Sequence, residues 1–176
     1  MIEFRTRTPH DLRFIPFHHP YSTHHSHRHH LAVCLTPARD SLPIAGIVAP
    51  HGEVTAVDIQ EGMLNQAQER ARKADITTVR FLRAGLGEGR LEHNYYDRAV
   101  MVTVLGEIPD REAVLRELFD ALKPGGILLV EETIRDPHFQ THGTVSRLAG
   151  AAGFREKDFF GNRFSYTLLL EKPSRE

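Results

Sequence analysis

The residues best placed to do chemistry lie between Gly52 and Met63. A run of β-forming residues, Val54 to Val57, stops on Asp58, and a helix-forming run, Glu61 to Ala74, follows almost at once. A lone desolvated carboxylate is costly, so an acid at the end of a buried strand needs a reason. At the carboxyl end of a parallel strand it stands at the mouth of the sheet. There it can accept two hydrogen bonds from the vicinal hydroxyls of a ribose. The competing reading is that Asp58 caps the helix that follows, and the stretch alone leaves the two level.

Other residues with chemical potential are scattered. Gly85-Leu86-Gly87-Glu88-Gly89 is a loop whose backbone can approach a ligand closely. Glu107, His138 and His142 fall in loops and are the available acid–base groups, but each reads more simply as a solvated surface residue. The segment His18 to His30 holds seven histidines, at 18, 19, 24, 25, 27, 29 and 30. Imidazoles can share zinc, nickel or copper. With no cysteine or carboxylate nearby to complete a defined site, the segment reads as a weakly basic tail and no metal site is expected.

The elements that must position Asp58 follow a repeating order. Leu31–Leu35 is a continuous apolar run suited to a buried first strand, broken by 36–40. Ser41 offers an N-cap for a short helix over Leu42–Val48. The strand Glu53–Val57 and the helix Glu61–Ala74 come next, the helix carrying Met63, Leu64, Ala67 and Ala71 on one face. A third strand spans Thr78–Ala84. Ala99–Leu105 is an apolar run expected of a central strand covered on both faces. Asp110 caps a helix with Val114, Leu115, Leu118 and Leu122 at helical spacing, which Lys123-Pro124-Gly125-Gly126 stops. Ile127–Val130 is another apolar strand ending on Glu131 and Glu132, and a helix over Thr144–Ala152 closes on Gly153. Phe154–Phe160 and Phe164–Leu170 then flank Gly161-Asn162 as a hairpin. Alternating strands and helices imply a mostly parallel α/β sheet with an antiparallel hairpin at the end. Asp58, Gly85 and Thr103–Leu105 would all reach its carboxyl edge.

Composition narrows the classes. The chain has 176 residues, enough for one sizeable core, and a formal net charge of -1, which gives no general affinity for nucleic acid or anionic lipid. The one cysteine, Cys34, precludes an internal disulfide and suits a reducing compartment. No apolar run reaches membrane-spanning length and the first residues lack the apolar core of a signal peptide, so a cytoplasmic chain is expected. Residues 1–30 form an irregular histidine-rich segment and residues 31–173 the α/β domain.

The chain resembles the class I S-adenosylmethionine-dependent methyltransferases, whose fold is Rossmann-like. The likeness rests on Val57-Asp58-Ile59 with Met63-Leu64, Tyr96-Asp97-Arg98-Ala99-Val100, Leu105-Gly106-Glu107-Ile108-Pro109-Asp110, Leu122-Lys123-Pro124-Gly125-Gly126 and Ala152-Gly153-Phe154, in that order. It implies S-adenosylmethionine as cofactor and in-line transfer of its methyl group to a small-molecule acceptor. It also implies cofactor-binding positions. Asp58 would hold the ribose hydroxyls, and Ile59 and Met63 would pack on the adenine. Gly85 and Leu86 would line the adenine edge, although the acid common in that loop is absent. Thr103, Val104 and Leu105 would lie under the methionine part. By residue type alone, Met63 and Leu86 are as readily core residues.

One departure stands out. The family's glycine-rich loop after the first strand falls at Leu35–Arg39, which reads Leu-Thr-Pro-Ala-Arg. GC-rich codons for Pro37-Ala38-Arg39 would encode Gly-Pro-Gly in a shifted frame, so residues 1–40 are a candidate frameshift product. Three other readings compete with an active methyltransferase. They are a nicotinamide-dependent oxidoreductase, a non-catalytic remnant of the fold, and a histidine-rich metal-binding protein.

Overall fold

A computed structural model of the protein describes residues 28–34 and 37–174, with side chains from Leu42 onward, Ile47 excepted. The chain runs β1 (Arg28–Cys34), α1 (Pro37–Val48), β2 (Gly52–Asp58), α2 (Glu61–Lys73), β3 (Val79–Arg83), β4 (Tyr96–Val102), a 3-10 turn (Leu105–Glu107), α3 (Arg111–Ala121), β5 (Leu122–Thr133), α4 (His142–Ala152), β6 (Arg155–Asn162) and β7 (Ser165–Glu171). The strands form one sheet in the order β3-β2-β1-β4-β5-β7-β6. β1, β2, β3, β4 and β5 pair in parallel, whereas β7 runs antiparallel to β5 and β6. This is the expected Rossmann-like sheet with a closing hairpin. The order reverses at β1, whose neighbours are β2 on one side and β4 on the other, and such a reversal opens a crevice at the carboxyl ends of the strands.

Unbroken apolar runs in β4, β5 and β7 follow from cover on both faces. Ala99 and Met101 of β4, Leu128 and Val130 of β5, and Leu168 and Leu170 of β7 pack on one side with Val114, Leu115 and Leu118 of α3 and Val145 and Leu148 of α4. The intervening Val100, Leu129 and Leu169 pack on the other side with Ile44 and Ala45 of α1. Period-two alternation therefore serves two cores at once.

Several boundaries differ from the sequence expectation. β1 begins at Arg28, so His29 and His30 pair with Glu53 and Val54 inside the sheet, while the histidines from 18 to 27 lie outside the described residues. Helix α1 starts at Pro37 rather than Leu42. A proline needs no hydrogen-bond partner for its nitrogen in a first turn, so the stretch read as a breaker opens the helix instead. Of the loop expected to replace the glycine-rich turn, Leu35 and Thr36 lie outside the described residues and 37–39 are helical.

The Lys123-Pro124-Gly125-Gly126 turn does more than stop α3. It is folded into the start of β5 as an irregularity between the pairs Tyr96–Leu122 and Arg98–Ile127. Gly125 takes φ 77° and donates its N–H to the Lys172 carbonyl at 2.8 Å, and Lys123 Nζ meets Asp97 Oδ2 at 3.0 Å. The hairpin turn is Arg163-Phe164, not Gly161-Asn162, because Asn162 pairs with Ser165 and its Oδ1 accepts the Phe164 N–H at 2.9 Å. Gly161 instead sits in the strand at φ 107°, where an added Cβ would collide with the Ser165 carbonyl. No helix among the described residues is long and apolar enough to cross a membrane.

Candidate functional site

Asp58 ends β2 and is 6% exposed. Its Oδ1 accepts the Gln60 N–H at 2.7 Å, while Oδ2 is buried with no hydrogen-bond partner. The capping alternative is therefore half right: one oxygen shapes the turn into α2, whose N-cap position belongs to Gln60. The other is an acceptor left over. Burial raises the Asp58 pKa above the usual carboxylate range, opposed by the Gln60 N–H.

Beside Asp58 lies a cavity of about 390 Å³, lined by Val57, Asp58, Ile59 and Gln60 from the β2 end, Ala84–Leu86 and Glu88 from the loop after β3, and Val104 and Glu107–Pro109 from the segment after β4. Its size and mostly apolar walls suit a ligand with an aromatic body and few polar anchors. Ile59, 61% exposed, has little else to pack against, so its large apolar surface is available to a ligand.

Five of the eight residues expected to bind cofactor line this cavity: Asp58, Ile59, Gly85, Leu86 and Val104. Leu86 lines this cavity and also packs on the larger core. The other three do not reach the cavity wall. Met63 is half-buried on α2, set back from the lining residues. Thr103 takes a left-handed conformation at φ 49° and spends its N–H on the Glu131 carbonyl at 2.8 Å, which turns the chain so that Val104 becomes the lining residue. Leu105 is fully buried in the core with α3; its side chain supports the site from behind.

Two acids escaped the sequence reading. Glu117, buried on α3, accepts N–H groups from Gly87 at 2.5 Å, Arg90 at 2.6 Å and Leu91 at 3.0 Å. One helical carboxylate thus pins the whole loop that carries Gly85, Leu86 and Glu88. Glu88 folds over Gly85: Oε2 accepts the Gly85 N–H at 3.3 Å, and an ideal Cβ on Gly85 would lie 2.6 Å from Glu88 Oε1. A side chain three residues downstream thereby brings to the cavity the carboxylate that the loop lacks at Gly85. The helical period of α3 marks Glu117 as buried, but nothing local shows that a distant loop needs it.

Across the mouth, Glu132 at the end of β5 is 1% exposed. Its Oε2 accepts the Gln140 N–H at 3.1 Å and its Oε1 has no partner. Burial, opposed by that N–H and reinforced by the Asp136 carboxylate, pushes its pKa up to about 7. The turn above it rests on Gly106, where an added Cβ would collide with the His138 carbonyl. Glu107 and His138, weighed separately as acid–base groups, are brought within 3.9 Å of each other. His142 lies elsewhere, paired with Glu156 at 3.0 Å.

The residues present fit the adenosine half of S-adenosylmethionine: an acid with a spare acceptor for the ribose, apolar walls for the purine, and a second carboxylate on the cavity wall.

Comparison with known proteins agrees. The sequence profile of the methyltransferase domain family matches residues 31–126, more than half of the chain. A demethylmenaquinone methyltransferase of Listeria welshimeri is 34% identical over 103 residues, 58% of this chain and 44% of that protein. One from Geobacillus kaustophilus is 28% identical over 149 residues, 83% of this chain and 58% of that protein. The chain spans about half the length of the curated relatives it matches. In fold it is similar to a SAM-dependent methyltransferase from Aquifex aeolicus, with a TM-score of 0.73 at 21% identity over 82% of both chains. It is likewise similar to one from Methanosarcina mazei, at 0.73 and 19% identity over 85% of this chain and 94% of that one. A sheet reversing beside an acid with a spare oxygen, and a family profile running from β1 into β5, lead to one conclusion: this chain belongs to the methyltransferase domain family.

Proposed function

We propose that this protein transfers a methyl group from S-adenosylmethionine to a small-molecule acceptor in the cytoplasm, without a nucleic-acid or membrane partner. The observation that carries the proposal is the spare Oδ2 of Asp58, buried at the carboxyl end of β2 on the wall of a cavity of fitting size. A buried acceptor with no partner is a standing cost, and a ribose diol offers the donors that would remove it. In this reading Ile59 and Leu86 cover the purine, with Glu88 as an acceptor for its amino group. Gly85 keeps that edge narrow, Glu117 holds the loop in place, and Val104 lies under the methionine part.

The cofactor supplies an activated methyl group on a sulfonium, so the protein's task is alignment and exclusion of water rather than covalent catalysis. The lone Cys34 and the near-neutral net charge support the cytoplasmic assignment and the choice of a small acceptor over a polyanion. Relatives named for demethylmenaquinone make that ring system the first acceptor to assay. The domain itself is residues 31–173, preceded by the histidine-rich segment 1–30.

Calorimetry with S-adenosylmethionine tests the proposal. Micromolar binding by the natural chain, abolished in Asp58→Ala, is expected. Absence of binding by the natural chain would leave the fold as a non-catalytic remnant, and unchanged binding in Asp58→Ala would move the ribose site elsewhere. Sequencing the coding DNA upstream of Ser41 decides the frameshift reading: a second frame encoding a glycine-rich loop supports it, and its absence ends it.

A further inference from the structure

On the acceptor side of the mouth, Glu107, Asp136 and His138 converge. One ligand-capable atom from each lies within 4.8 Å of the other two. Nδ1 of His138 is 3.9 Å from Glu107 Oε1 and 3.8 Å from Asp136 Oδ1. With metal–ligand bonds of about 2.1 Å, small side-chain rotations bring these three donors around one ion.

Backbone contacts fix both arms of the cluster. Asp136 Oδ1 accepts the His138 N–H at 2.7 Å, and the Asp136 N–H reaches the Thr133 carbonyl at 2.9 Å, so ligand and ligand are held in one tight turn. That turn lies directly on Gly106, the residue before Glu107, where no side chain would fit.

A second observation comes from below. Glu132, 1% exposed, is held by Gln140 at the end of the same turn, and its Oε1 is left without a partner. Three carboxyl groups and one imidazole therefore gather about this turn. The guanidinium of Arg111 is committed to the carbonyls of Leu105 at 3.2 Å and Gly106 at 2.9 Å. Its charge still reaches Glu132, so it offsets the negative charge of the cluster only in part.

We propose that Glu107, Asp136 and His138 bind a divalent cation at the rim of the cofactor cleft. Two carboxylates with one imidazole form a hard-to-borderline donor set, suited to manganese(II) above copper(I) or other thiophilic ions. Three protein ligands leave coordination positions open. Glu107 also lines the cleft, so oxygen atoms of a molecule bound there can complete the shell in place of water. That second role rests on the methyltransferase reading; ion binding itself does not.

The test uses the full chain without S-adenosylmethionine, titrated with manganese(II) and followed by loss of the free-ion electron paramagnetic resonance signal. One ion per chain is expected, with a Kd of about 10–100 μM, within the range of carboxylate-rich sites. Glu107→Gln and His138→Ala should each weaken it at least tenfold, as should Asp136→Asn, with melting curves verifying that each variant is folded. Joint replacement of His24, His25 and His27 by alanine should leave the affinity unchanged. The proposal is overturned if no ion binds below about 1 mM, if binding survives both Glu107→Gln and His138→Ala, or if it disappears with the N-terminal histidines. Calorimetry with S-adenosylmethionine on the same samples reports the methyltransferase reading separately.

Discussion

Asp58 and Glu132 are the two residues, among those described, with a buried side-chain oxygen lacking any partner. They end strands on opposite sides of β1 and β4 in the sheet, and each spends its other oxygen on a nearby backbone N–H. Their surroundings differ. Asp58 lines a cavity, so a ligand can satisfy it; Glu132 is roofed by the 136–140 turn and lines none of the described cavities. A desolvated acid beside a cavity implies a ligand, whereas a desolvated acid under a roof is relieved mainly by keeping its proton. On the proposed function, the same local chemistry gives a binding group on one side of the mouth and a titrating group on the other.

The sharpest way to break this contrast is Asp58→Ala. If a ribose diol donates two charge-assisted hydrogen bonds of about 2 kcal/mol each, affinity for S-adenosylmethionine falls by about 4 kcal/mol, close to a thousandfold, as read by calorimetry. A loss below tenfold would mean that Asp58 is no more a ligand group than Glu132.

Next is the pH response of Glu132. Its folded pKa, about 7, lies above the ordinary 4.5. The native state therefore binds the extra proton in that window. The contribution of Glu132 to stability is greatest below about 4.5, declines between the two values, and is level above about 7, by about 3 kcal/mol in all. Glu132→Gln keeps an acceptor for Gln140 and removes the ionisation. It should flatten this decline and stabilise the protein at pH 8, measured by urea unfolding at pH 5 and pH 8. A variant less stable than the natural chain at pH 8 would show that the carboxylate is satisfied after all.

Glu117→Ala sharpens the ligand side of the comparison. Losing an acceptor shared by three buried or half-buried N–H groups costs about 2 kcal/mol of stability. Cofactor binding should weaken with it, because Leu86 and Glu88 ride on the freed loop; equal affinity in the folded variant would detach the loop from the site. The smallest effect is expected at Glu88→Gln. Replacing a carboxylate by an amide should reduce the preference for S-adenosylhomocysteine over its inosyl analogue by about 1 kcal/mol, roughly fivefold. No change in that ratio would leave Glu88 as a loop brace alone.

Much of this geometry was legible in the residues. The apolar runs of β4 and β5 declare a doubly covered sheet because Val100 and Leu129 serve a different core from their neighbours. Asp58 is legible as a residue with a task because a desolvated acid closing a buried strand is costly, although the stretch alone leaves the ribose and capping readings level. The failures share a cause, which is that they turn on contacts distant in sequence or on single backbone angles. Nothing in Thr103-Val104-Leu105 announces that a left-handed Thr103 will present Val104 and hide Leu105. Glu117 and Glu132 owe their roles to a loop some thirty residues upstream and a turn downstream. Glycine followed by asparagine looks like a hairpin turn, but the Asn162 side chain moves the turn on to Arg163-Phe164.

The closing hairpin has a bearing on how the protein behaves in concentrated solution. Among the described residues β6 is the outermost strand, every residue of it is exposed, and no described strand pairs with its far side. Its first half, Arg155-Glu156-Lys157-Asp158, alternates in sign, while its second half carries Phe159 and Phe160. Such an edge invites another strand at its aromatic end and deters one at its charged end. Charges placed this way are the means by which edge strands are generally kept from pairing with one another.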